Sequence, residues 1–202
     1  MASVRKNLLY DTVLPRVELA SWPLAMIGLS LKYLLVEASN SMLVVGLGNL
    51  ACIYYLQTFA PNVKETDDAF ISQYTPVNVS TQQNFIQFTL TKIAGIASAV
   101  TLIGILFKLL FWKGSATMLL VGILSLLLVL AGQLTARYLS RRVVLIIGLG
   151  IFAWVVPTET LIQTFYRDDS ALVEEMIFQH HHPNDKAAST EVLRLLHARR
   201  NR

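Results

Sequence analysis

Residues 26–57, MIGLSLKYLLVEASNSMLVVGLGNLACIYYLQ, fall on residues 102–133, LIGILFKLLFWKGSATMLLVGILSLLLVLAGQ, when the chain is slid along itself by 76 positions. Eleven of the 32 aligned positions are identical. They include Gly28 with Gly104, Lys32 with Lys108, Ser39 with Ser115, Met42 with Met118, Gly46 with Gly122 and Gln57 with Gln133. Arg16 and Lys92 also correspond. Unrelated apolar segments share leucine and valine through composition alone. Lysine, serine, glycine and glutamine in common register identify an internal repeat, and a repeat decides the fold before any single element does.

Each copy is a pair of apolar runs around a short turn. About 20 mostly apolar residues span a hydrocarbon core. The runs at 17–36, 40–59, 93–112 and 115–136 meet that length. The expected fold is therefore an all-α membrane protein: two tandem transmembrane hairpins, a fifth span and a short helical C-terminal tail. The expected organisation is an N-terminal segment 1–16, hairpin repeat 1 at 17–61, a polar linker 62–92, hairpin repeat 2 at 93–136, a fifth span at 143–162 and a soluble tail 163–202. The linker holds Pro61, Asp67, Asp68 and Pro76, with an amphipathic approach near Phe85 and Phe88. Gly148, Gly150 and Pro157 interrupt the fifth span and Glu159 lies near its end, so a kinked or re-entrant course stands beside a full crossing. An even number of spans separates the copies. They run parallel, and a pseudo-twofold along the membrane normal is expected.

Composition agrees. Of 202 residues, 54% are hydrophobic and 15% charged, against about 25% charged in a soluble domain. The charges collect in 1–18, 60–92, 137–142 and 165–202. A charge at the bilayer centre costs roughly 2.5 kcal/mol or more, which explains that segregation. The net charge of +4 comes from basic residues that flank spans, as the positive-inside rule requires, so no nucleic-acid partner is expected. The expected partners are the lipid bilayer and either further copies of the chain in a homo-oligomer or other membrane subunits. Arg5, Lys6 and Arg16 place the N-terminus in the cytoplasm, and Arg137, Arg141 and Arg142 place the link before the fifth span there too. The hairpin turns then face outward, as does the tail after five crossings, although Arg194, Arg199 and Arg200 pull weakly the other way. The first apolar run is long enough to stay as an anchor rather than a cleaved signal. The lone Cys52 excludes an intramolecular disulfide.

Five polar residues stand out. Lys32 follows Arg16 by about 24 Å of helix, which puts it near the outer interface, and Lys108 repeats this relative to Lys92. The plain expectation is a snorkelling lysine at each hairpin tip; the sharper one is a charge that pairs with a partner chain inside the membrane. Glu37 in the first turn answers Lys113 in the second, an attraction worth under about 1 kcal/mol if exposed. Asn49 is the strongly polar side chain near mid-span in the second helix and reads as interhelical glue. Gly28, Gly46, Gly104 and Gly122, with Gly48, Gly95, Ala99, Gly148 and Gly150, read as close-packing positions, pore lining being the alternative. No charge sits at a midplane as an ion path would need.

The tail carries two short helical patterns. Ser170 is the expected cap of the first, with Asp168 and Asp169 beside it and Leu172, Val173, Met176 and Ile177 on one face. The second runs from Ser189 to Arg199, with Val192, Leu195 and Leu196 free to dock on the first or on a partner. His180, His181 and His182 are consecutive, so on a helix they point about 100° apart and do not chelate one ion; no metal-ligand spacing accompanies them. No nucleophile with a base, phosphate loop or carboxylate pair is present, so neither an enzyme nor a cofactor is expected.

Residues Ala97 to Gly122, ASAVTLIGILFKLLFWKGSATMLLVG, resemble the N-terminal membrane hairpin of the GldL/PorL family, the inner-membrane motor component of gliding motility and type IX secretion. Gly104, Leu106, Phe107, Lys108, Trp112, Gly114, Met118, Leu119 and Gly122 fit that family's pattern. Gly28, Lys32, Met42, Leu43 and Gly46 are a fainter copy, followed by GLGNLACIYYLQTFAP, which also looks like the family's second helix. The resemblance covers roughly 17–61 and 93–136 and implies a bacterial inner-membrane location. It stops at the family's intramembrane glutamate, where this chain has Leu50 and Leu126, and at a histidine replaced by Phe111. The family's long cytoplasmic coiled coil is also replaced, by a second hairpin, a fifth span and a short tail. The expectation is a non-enzymatic membrane scaffold or subunit; a proton-coupled motor or secretion subunit, and a small transporter or channel, are the alternatives.

Overall fold

In the computed structural model the described residues are 12–36, 38–59, 79–135, 139–182 and 184–200; the side chains of 79–88 and 199–200 are outside the description. The described residues form eight helices and no strand. They are α1 (Leu14–Tyr33), α2 (Ser39–Gln57), α3 (Val79–Leu109), α4 (Ser115–Thr135), α5 (Arg141–Val155), α6 (Thr158–Phe165), α7 (Ser170–His181) and α8 (Lys186–Arg200).

The two hairpins, α1–α2 and α3–α4, are closed by the same turn. In the first, Leu34, Leu35 and Val36 donate backbone N–H groups to the carbonyls of Ser30, Lys32 and Leu31 at 3.0, 3.1 and 2.9 Å. In the second, Leu110, Phe111 and Trp112 donate to Leu106, Lys108 and Phe107 at 3.0, 3.2 and 2.8 Å. This is a Schellman ending, and its left-handed residue is Leu35 (φ 63°) in one copy and Phe111 (φ 58°) in the other. A side chain in that conformation costs roughly 1–2 kcal/mol relative to glycine. The turn ends α1 and α3 about three residues short of the expected 36 and 112.

Glycines set the distance between the helices of each hairpin. A Cβ on Gly28 would lie 2.9 Å from the Leu43 backbone N, and one on Gly104 would lie 3.0 Å from the Leu119 N. On the facing helix, a Cβ on Gly46 would meet the Ala25 N at 2.6 Å, and one on Gly122 would meet the Thr101 Cα and N at 2.9 Å. Both contacts of the first hairpin recur in the second at the 76-residue spacing. Gly95 and Gly150 are also close-packed, against α2 and against Thr101 and Ile123 respectively. Gly48 and Gly148 have open space around them, so neither sets a helix spacing within the chain.

The copies are not joined by the expected pseudo-twofold. Such an axis would match the α2–α3 contact with one between α4 and α1. Instead α2 packs on α3 and α4 packs on α5, with no extended contact between α1 and α4. The hairpins follow one another head to tail, and α5 takes the place beside the second that α3 takes beside the first. Leu43, Leu50, Leu102, Leu119 and Leu126 fill the centre.

Three helices are long and apolar enough to cross a membrane: Ser39–Gln57, Thr89–Leu109 and Ser115–Thr135. Leu19 and Leu128 are each 75% exposed, and Met26, Leu124, Leu145 and Phe152 also face outward. A protein in water rarely shows so broad an apolar surface; in hydrocarbon it is the expected exterior. α1, expected as a span at 17–36, begins at Leu14 and carries Arg16, Glu18 and Lys32, which leave it outside that set. The expected linker is helical from Val79, continuous with α3, while its residues 62–78 lie outside the described residues.

The expected fifth span is two helices. α5 and α6 meet at 83° across Pro157, and together they are long enough for one broken span or a re-entrant loop. Val156 and Pro157 are extended, as the residue before proline and a proline N-cap favour. α6, α7 and α8 gather at the hairpin-turn end. Ile162, Leu172, Met176 and Val192 form a small second core there, and Phe111 packs against it. α8 therefore docks on α7. Asp169 rather than Ser170 caps α7, accepting from the Leu172 N at 3.2 Å.

Candidate functional site

The two repeat-related lysines are buried. Lys32 is 5% exposed and Lys108 7%, so neither snorkels to solvent as the plain expectation held. The reason is the turn that follows each. Both lysines lie in the last turn of a helix, and the helices packed across from them end at the same level.

Lys32 Nζ donates to Asn40 Oδ1 at 2.8 Å and to the Leu109 carbonyl O at 2.6 Å. It also lies 5.2 Å from the Phe111 ring centre and 5.4 Å from that of Phe165, a cation–π distance. Lys108 Nζ donates to the Trp154 carbonyl O at 3.2 Å. Leu109 is the last residue of α3 and Trp154 the last but one of α5. The final carbonyls of a helix lack intrahelical partners and carry the negative end of its dipole, so each ammonium caps the helix two further along the chain.

A pocket of about 590 Å³ opens beside Lys32, walled by Val36, Ser39, Asn40, Ser41, Tyr166 and Leu196. It lies between the first hairpin turn and the C-terminal helices. Lys113 is exposed, and Glu37 lies outside the described residues. Asn49 is exposed on the outer face of α2 and makes no hydrogen bond among the described residues. The neighbours Gly48 and Cys52 share that open face.

The opposite end of the bundle holds a polar cluster that the repeat did not announce. Glu18, 9% exposed, accepts from Tyr54 Oη at 3.0 Å and from Gln57 Nε2 at 3.2 Å. Arg142 Nη1 lies 3.5 Å from Glu18 Oε2 and donates to Gln57 Oε1 at 3.4 Å, so α5 is tied to the first hairpin. In the second hairpin the corresponding residues are Ala94, Leu130 and Gln133. Gln133 is buried and accepts from the Ser140 N at 3.2 Å. The sequence signal for Glu18 was a mismatch between the copies, not a match. Asn40 against Ala116 is the same signal at the lysine end.

Leu50 and Leu126 are both 0% exposed in the core. In the tail, His181 Nε2 lies 3.0 Å from Glu159 Oε1. No group of three or more metal-binding side chains occurs among the described residues.

The helices and their apolar exterior define an all-α, multi-pass membrane protein. No family model, curated protein or solved structure matches the chain.

Proposed function

We propose that the protein is a non-enzymatic scaffold subunit of a bacterial inner membrane, built on GldL-type hairpins, that assembles with a second copy of itself through the outer face of α2. Asn49 carries this reading. Its amide lies midway along a membrane-crossing helix, exposed and unpartnered among the described residues. Hydrocarbon cannot hydrogen-bond it, which costs several kcal/mol on transfer scales. An amide both donates and accepts, so the same amide on a twofold-related copy satisfies it. Gly48 beside it lets two helices approach closely.

The single Cys52, exposed one turn away, reports the contact directly. Oxidative cross-linking in native membranes is expected to give a disulfide-linked dimer, reduced severalfold by Asn49→Leu or Gly48→Leu. A monomer that never cross-links, or a dimer indifferent to both changes, refutes the α2 interface. For orientation, cysteines placed at Ala38 and Ala116 are expected to label from the same, outer side.

The proton-coupled motor reading has one feature in its favour, the buried carboxylate of Glu18. That group lies one turn from the start of α1 and is paired with Arg142, while leucines occupy the mid-span positions where a proton carrier would stand.

A further inference from the structure

Lys32 is a buried cation whose near neighbours among the described residues are all neutral: one amide oxygen, one backbone carbonyl and two aromatic rings. No carboxylate lies within 4.0 Å of it among the described residues. Dipoles and rings lower the cost of burying a charge but do not cancel it; buried charges are as a rule paired. An ammonium has three N–H donors, and two are in use among the described residues. The pocket of about 590 Å³ adjoins this group.

The walls of that pocket are chemically divided. Lys32, Ser39, Asn40 and Ser41 give it a cationic, hydrogen-bonding side, and Val36 and Leu196 give it an apolar one. Its polar wall is also the first turn of α2, a 19-residue helix whose N-terminus favours an anion. The pocket sits at the hairpin-turn end, where the membrane-crossing helices finish. Lys108 serves as an internal control. It has the same place in the repeat and the same carbonyl-capping contact, but it does not line this pocket.

We infer that the pocket binds the phosphate of an anionic phospholipid, with Lys32 as its counter-charge and the Val36 and Leu196 wall against the glycerol and upper acyl region. The probe is dioleoyl phosphatidylglycerol added to the delipidated protein in detergent, with bound lipid counted by native mass spectrometry. Phosphatidylcholine and inorganic phosphate serve as comparisons. Retention of one phosphatidylglycerol per chain is expected, with phosphatidylcholine held at least about tenfold more weakly, the order of one charge-assisted contact. Lys32→Met is expected to abolish the preference and Lys108→Met to leave it intact. Because Lys32→Met also removes a helix cap, Leu196→Trp provides a second variant that fills the pocket without touching the lysine, and it is expected to lose the lipid while keeping the helical content. Equal retention by wild type and Leu196→Trp overturns the inference. So does displacement by inorganic phosphate, which assigns the pocket to a free ion, or lipid retention that appears only in Glu37→Gln, which makes that carboxylate the native counter-charge.

Discussion

The two hairpins share their turn, its left-handed position and two glycine contacts, yet they hold different polar groups at both ends. The first has Glu18, Tyr54 and Gln57 at one end and Lys32 with Asn40 at the other. The second has Ala94, Leu130 and Gln133, then Lys108 with Ala116. What is common is what two helices need in order to pack. What differs is what each copy meets next. The first hairpin meets α5 through Arg142 and the C-terminal helices through Lys32 against Phe165; the second packs along α5, caps its end through Lys108 and reaches the C-terminal helices through Phe111. In a head-to-tail succession the copies have unlike neighbours, so their ends are free to diverge while their shared interior is not.

Transplanting a polar group into the wrong copy should have the largest effect. Ala94→Glu places a carboxylate at the position of Glu18 without its tyrosine, and loss of about 3 kcal/mol or more is expected in an SDS titration followed by circular dichroism. A change under 1 kcal/mol would mean that the second hairpin supplies partners of its own. Next comes the glycine contrast. Gly46→Leu drives a side chain into the backbone at Ala25 and is expected to cost about 2–3 kcal/mol. Gly48→Leu, on the open face, is expected to change monomer stability by less than about 0.5 kcal/mol. Equal penalties would show that the outer face is packed within the monomer.

The lysines give a smaller difference. Lys32→Met removes two hydrogen bonds and two ring contacts, Lys108→Met one carbonyl contact. Expected losses are about 2 and about 1 kcal/mol in the same titration. The reverse order would break the asymmetry between the copies. The smallest effects belong to the two turns. Leu35→Gly relieves a left-handed leucine and is expected to stabilise by up to about 1 kcal/mol. Phe111→Gly relieves the same strain but loses the contacts with Lys32, Phe165 and Tyr166, so its net effect is expected to be destabilising.

The hairpins were legible because a glycine or a left-handed turn is a local demand, and the chain states it twice. The buried Glu18 cluster was not legible in the repeat, because Glu18, Tyr54 and Asn40 are positions where the copies part. For Asn49 the depth was legible and the face was not. Hydropathy gave its depth, but the face it occupies depends on which side of α2 the next hairpin takes.

The sequence alone determined that the helices are apolar on all sides, where charges are tolerated, and that one hairpin occurs twice. These are properties of each residue's transfer into hydrocarbon and of short-range backbone geometry. Only the tertiary structure decided that the copies run head to tail, that α5 breaks at 83° rather than continuing, and that Lys32 and Lys108 turn inward to carbonyls 77 and 46 residues away. A lysine's long side chain binds whatever acceptor packing brings near it, and no local pattern records which helix end will be there.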